Sequence, residues 1–100
     1  MSTLEKKKQR LISEPSDYTY LEAKSLLTQL GYQEDNKGLT SGSRVRFFRQ
    51  SDGDVITLHK PHPGKILKIY AVRMLKEKLE GNGDLWIWEM WLSIKDIILK

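Results

Sequence analysis

Apolar positions repeat at helical spacing through Tyr20, Ala23, Leu27 and Leu30, with Leu26 alongside. Thr19-Tyr20-Leu21-Glu22 has capping-box spacing, in which Thr19 and Glu22 satisfy free backbone N–H groups at a helix start. Gly31 stands where a left-handed cap closes a helix. The pattern predicts a helix over 19–30. Before it, Leu4 to Ile12 is a candidate short helix with few apolar positions, ended by Ser13-Glu14-Pro15, because proline disfavours helix at the residue before it.

The period then changes. Tyr32 to Asp35 is a short strand candidate, followed by a polar loop through Asn36, Gly38, Thr40, Ser41 and Gly42. Ser43 to Gln50 and Val55 to Lys60 read as two strands, and Ser51-Asp52-Gly53-Asp54 between them is hairpin-turn chemistry. Pro61-His62-Pro63-Gly64 stops the second strand. Lys65 to Leu79 is a further predicted helix, with Ile66, Tyr70 and Arg73 on one line and Leu67, Ala71, Met74 or Leu75 and Leu79 beside it; Gly81-Asn82-Gly83 ends it. The order is helix, three strands, helix. That is an α+β layer with a three-stranded antiparallel sheet and both helices on one face.

One hundred residues suit a single domain, here 1–84, followed by an apolar, tryptophan-rich extension over 85–100. All three tryptophans fall within the six positions from Trp86 to Trp91. Glu89, Lys95 and Asp96 interrupt the extension, which is too short and too charged to span a membrane. It reads either as another element covering the core or as an interface, with a second copy or with a partner protein.

At 39% hydrophobic and 30% charged residues the chain is ordinary for a globular protein, not a disordered one. With no cysteine it has neither a disulfide framework nor a thiolate metal site. Its charged N-terminus has no apolar run of signal-peptide length, and a cytoplasmic location is the expectation. The net charge of +4 is uneven: the stretch from Lys37 to Glu80 carries ten Lys or Arg against four acidic residues. A basic block in a slightly acidic surround suits a polyanionic partner, although a solvated basic face would look the same by charge alone.

Strand alternation sorts the candidate chemistry. If Val45, Phe47, Ile56 and Leu58 meet the helices, then Arg44, Arg46, Thr57 and His59 share the open face, with Lys60, His62 and Lys65 at its end. Guanidiniums hold phosphates through a planar fork, and histidine is the side chain whose ordinary pKa suits proton transfer near neutrality. Such a set suits RNA cleavage without a metal. The 2′-OH must lose a proton, the leaving 5′-oxygen must gain one, and the phosphorane needs positive charge around it. His59 and His62, three apart around a proline and without a neighbouring carboxylate, do not have metal-ligand spacing.

Lys37-Gly38, then Thr40-Ser41-Gly42-Ser43-Arg44-Val45-Arg46-Phe47, then Leu58-His59-Lys60-Pro61-His62-Pro63-Gly64 and a lysine-rich helix resemble the HicA family of toxins over roughly residues 18–80. The resemblance implies a double-stranded-RNA-binding-like fold, cleavage of mRNA without metal or cofactor, and neutralisation by a HicB-type antitoxin that covers the active face. No membrane partner is expected. Taken with the open face, the resemblance makes Arg44 and His59 the catalytic candidates, with Lys37, Ser43, Arg46, Lys60, His62 and Lys65 expected to bind RNA. The family's usual motif is Gly-Ser-His, with a catalytic histidine where this chain has Arg44. Either Arg44 takes over by stabilising phosphate charge while His59 moves the proton, or this copy is an inactive RNA-binding or antitoxin-binding module of the same fold.

Overall fold

The computed structural model describes residues 3–35, 44–60 and 65–85. Its elements run α1 (Thr3–Ile12), α2 (Tyr20–Gln29), β1 (Tyr32–Glu34), β2 (Arg44–Arg49), β3 (Asp54–His59) and α3 (Ile69–Gly81). The sheet is antiparallel in the order β1-β2-β3. Val45, Phe47, Ile56 and Leu58 are buried together with Leu26, Leu27, Val72 and Leu75, so the helices share the face that alternation assigns to the core. The expected α+β layer is present.

Thr19 caps α2, accepting the Glu22 backbone N–H at 3.1 Å. The Glu22 carboxylate does not complete the box; Arg10 of α1 takes it, Nε to Oε2 at 3.0 Å. That pair ties down α1, which is a full helix with Leu11 wholly buried and Leu4 and Ile12 packed against the core. Three apolar positions suffice because α1 buries only one edge, against α2 and α3.

Three boundaries move. Both long strands are offset: β2 spans Arg44–Arg49 where Ser43 to Gln50 was expected, and β3 spans Asp54–His59 where Val55 to Lys60 was expected. Arg49 and Asp54 are the closing pair of the hairpin, and Gly53 supplies the positive φ (69°) of its turn. α3 starts at Ile69 where the pattern predicts Lys65. Lys65 has φ 63°, and the backbone on either side is committed elsewhere. Tyr20 N–H donates to the Lys65 carbonyl at 2.9 Å and Leu67 N–H to the Tyr18 carbonyl at 2.8 Å, so Ile66 bridges Thr19. Of the two predicted α3 stripes, Leu67, Ala71, Leu75 and Leu79 are buried, whereas Ile66, Tyr70 and Met74 are exposed.

One buried residue breaks the apolar rule. Arg49 shares strand parity with Val45 and Phe47 and lies 9% exposed on the helix side. Its Nε and Nη2 donate to Asp52 at 3.1 and 2.8 Å, and Nη1 and Nη2 donate to Asp84 at 3.0 Å each. Nη1 also donates to the Leu30 carbonyl at 3.1 Å, and the guanidinium lies 4.5 Å from the centre of the Tyr32 ring. The hydrogen bonds to Asp52 and Asp84 hold it protonated far above the ordinary arginine range. Gly31 (φ 98°) passes beneath it: a Cβ there would sit 3.3 Å from the Arg49 Cδ. Next to it, Asp54 receives Lys78 at 2.7 Å, Asn82 at 2.9 Å and the Tyr32 hydroxyl.

Two stability predictions follow from this cluster. Arg49→Met strands Asp84 and the Leu30 carbonyl and should cost about 3–5 kcal/mol, read from urea unfolding; a loss under about 1 kcal/mol would mean that the fork is dispensable. Burial pushes the Asp54 carboxyl up, but bonds from Lys78, Tyr32 and Asn82 outweigh it and hold it at about 2. Its folded pKa therefore lies below its unfolded one. The stability it gives is complete above about pH 4 and drains away as the pH falls towards 2. Asp54→Asn should flatten that limb in a plot of melting temperature against pH.

Candidate active site on the open sheet face

The strand register fixes which side chains meet. β2 and β3 pair Arg44 with His59, Arg46 with Thr57 and Phe48 with Val55. Asp35 N–H donates to the Arg46 carbonyl at 2.7 Å, so Arg46 turns its backbone polar groups towards β1. Arg44 and Phe48, two residues either side, do the same. All three are therefore non-hydrogen-bonded partners of β3. In such pairs the Cα atoms are about 4.5 Å apart and the side chains are closest.

Arg44 and His59 are thus immediate neighbours, both exposed, with Arg46 one diagonal step from His59. The face is polarised along its length. Arg44 and Arg46 bring positive charge to its far end beside the His59 imidazole, while Phe48 and Val55 make the hairpin end apolar. Chemically, a guanidinium holds a phosphate through its planar fork, and an imidazole can move a proton near neutrality.

Lys60 continues the parity of Ile56 and Leu58 and goes to the other side of the sheet. Its Nζ lies 5.5 Å from the centre of the Tyr20 ring, which itself packs against Phe47 with ring centroids 6.4 Å apart. Burial first, then the charge and hydrogen bond of Glu34, push the Tyr20 phenol up to about 12, so it stays neutral under the lysine. Lys65 is exposed and lies on the same rim, its carbonyl bonded to Tyr20 N–H. The structure accordingly brings Arg44, Arg46 and His59 together and sets Lys60 and Lys65 around the edge, on the helix side. Lys37, Ser43 and His62 lie outside the described residues, as do residues 86–100 of the extension; Leu85, its first residue, is buried in the core.

Lys60, expected at the end of the open face, is thus turned to the helix side, as strand parity requires of a residue two positions after Leu58. Tyr20 as the platform beneath it had no signal beyond an aromatic at a helix start. No helix among the described residues is long and apolar enough to cross a membrane.

No curated protein and no solved structure matches the chain. A family model described as the HicA toxin of bacterial toxin-antitoxin matches residues 22–80, which takes in most of α2, the whole sheet and nearly all of α3. With more than half its length covered by that match, the chain belongs to the HicA toxin family.

Proposed function

We propose that this HicA-family toxin is an endoribonuclease that cleaves mRNA through its own side chains, without a metal, and that a HicB-type antitoxin neutralises it. The observation that carries the reading is the direct pairing of Arg44 with His59 on the exposed face, with Arg46 on the next rung. In the reaction the 2′-oxygen attacks the adjacent phosphorus, the O2′–P bond forms and the P–O5′ bond breaks. The proton leaves the 2′-oxygen for the His59 imidazole and passes from the imidazolium to the 5′-oxygen, leaving a cyclic phosphate and a 5′-hydroxyl. Arg44 stays protonated throughout, so its part is to hold the phosphorane's charge and not its proton. Arg46, with Lys60 and Lys65 on the rim, holds flanking phosphates.

A second reading has its own support, because Arg44 occupies the position of the family's usual catalytic histidine. In that reading the same face binds RNA or the antitoxin without cutting. Incubating the pure full-length chain with mRNA in EDTA separates the two.

Under the first reading His59→Ala should lower the cleavage rate by about 10²- to 10⁴-fold with the melting curve unchanged. Arg44→Lys keeps the charge but loses the fork and should retain partial activity, whereas Arg44→Ala should lose far more. A parent that leaves RNA intact, beside an Arg44→His variant that cuts it, decides for the binding module. RNA affinity itself should fall steeply with salt, with a log–log slope of about −0.7 per phosphate neutralised on a single strand. A flat response from about 50 to 200 mM salt would overturn the electrostatic account of the face.

A further inference from the structure

β3 is an edge strand: among the described residues only β2 pairs with it. Because Val45, Phe47 and Arg49 turn their polar groups to β3, they are bonded to Leu58, Ile56 and Asp54. The N–H and C=O groups of Val55, Thr57 and His59 therefore point outward along the free edge. Long open edges are templates for another strand, and proteins ordinarily blunt them with charge, proline or a bulge. Between Val55 and His59 this edge carries none of these.

The surface beside the edge is apolar. Val55 and Thr57 form one wall of a cleft whose other wall is Met74 and Lys78 of α3. Met74 is 49% exposed, Tyr70 one turn back is 59% exposed, and Val55 is 38% exposed. Together the free backbone groups and the apolar shelf have the form that captures an extended peptide by strand addition, in which main-chain bonds give affinity and alternate side chains enter the shelf.

We infer that the antitoxin docks here by adding a strand to β3, through an extended segment with apolar side chains over Met74 and Val55 and a carboxylate beside His59 and Arg44. Charge complementarity selects this occupant. The cationic end of the face asks for an acid and the hairpin end for an apolar group, whereas a second copy of this chain, itself +4, brings like charge to the cationic end. The partner's being an antitoxin follows from the family; its effect on RNA cleavage rests on the function proposed above. A strand laid against His59 covers the edge of that site, so binding and inhibition would coincide.

Amide hydrogen exchange of the full-length chain, alone and with the antitoxin co-expressed beside it, tests the inference. Alone, the Val55, Thr57 and His59 amides should exchange fast while Ile56 and Leu58, bonded to β2, exchange slowly; in the complex the first three should join the slow class. Thr57→Pro removes one outward N–H that the β2 ladder does not use, and proline is tolerated at such an edge position. It should weaken antitoxin binding about tenfold or more, as loss of a main-chain bond and strand geometry requires. Met74→Glu, outside the ribonucleolytic face, should weaken binding while leaving RNA cleavage and melting temperature unchanged, which keeps the docking question separate from catalysis. Three results overturn the inference. One is slow exchange at all three amides in the isolated chain, since a second copy or residues 86–100 then fill the edge. Another is a complex in which those amides stay fast. The third is full antitoxin affinity in both variants.

Discussion

The elements that meet at the hairpin end of the sheet are tied together by one buried cation. A guanidinium has five N–H donors and no acceptor, and burying it is costly unless each finds a partner. Arg49 makes five hydrogen bonds: two to Asp52, two to Asp84 and one to the Leu30 carbonyl. Those partners lie in the β2–β3 turn, just beyond the end of α3 and at the C-terminal cap of α2. The last is also where a helix leaves unpaired carbonyls and partial negative charge, which a cation relieves. Lysine in its place would have three donors and no fork.

This fixed point sets the geometry at the opposite end of the ladder. With Arg49 opposite Asp54, the pairing of β2 and β3 runs rung by rung to Arg44 opposite His59. A slip of one residue would send every side chain to the other face, exposing Phe47 and burying Arg46. The polar cluster beneath the hairpin and the cationic pair at the far end are therefore two ends of a single register. The core face enforces it between them through Val45, Phe47, Ile56 and Leu58.

Much of this was legible from residue order. Alternation in Arg44–Arg49 and Asp54–His59 separated the core face from the open face, because a strand has only two sides. Thr19 and Gly31 marked the ends of α2, because a helix terminus needs a specific acceptor at one end and left-handed backbone at the other. What was not legible depended on partners distant in sequence. The start of α3 was misplaced because Lys65 and Leu67 give their backbone groups to Tyr20 and Tyr18, some 45 residues earlier. Within the segment itself the apolar spacing is helical from Ile66 onward. Arg49 looked like one more basic residue of the central block until Asp84, 35 positions on, gave it a reason to be buried. α1 was underrated because its hold comes from Arg10 on Glu22 and from Leu11, contacts that periodicity within ten residues does not reveal.

The spacing of the Arg49 partners also dictates an order of assembly. Asp52 is three residues away and meets Arg49 as soon as the hairpin closes; the Leu30 carbonyl is 19 away and already present in the growing chain. Asp84 is 35 residues downstream, past the whole of α3. As the chain leaves the ribosome, the sheet can form with both arginines and the histidine of its open face in register. Yet the cation beneath it keeps only one of its two carboxylates until α3 has been made. Full locking of the fold thus waits for the completion of α3, and a nascent chain stopped short of it holds a half-compensated charge at the hairpin end of its sheet.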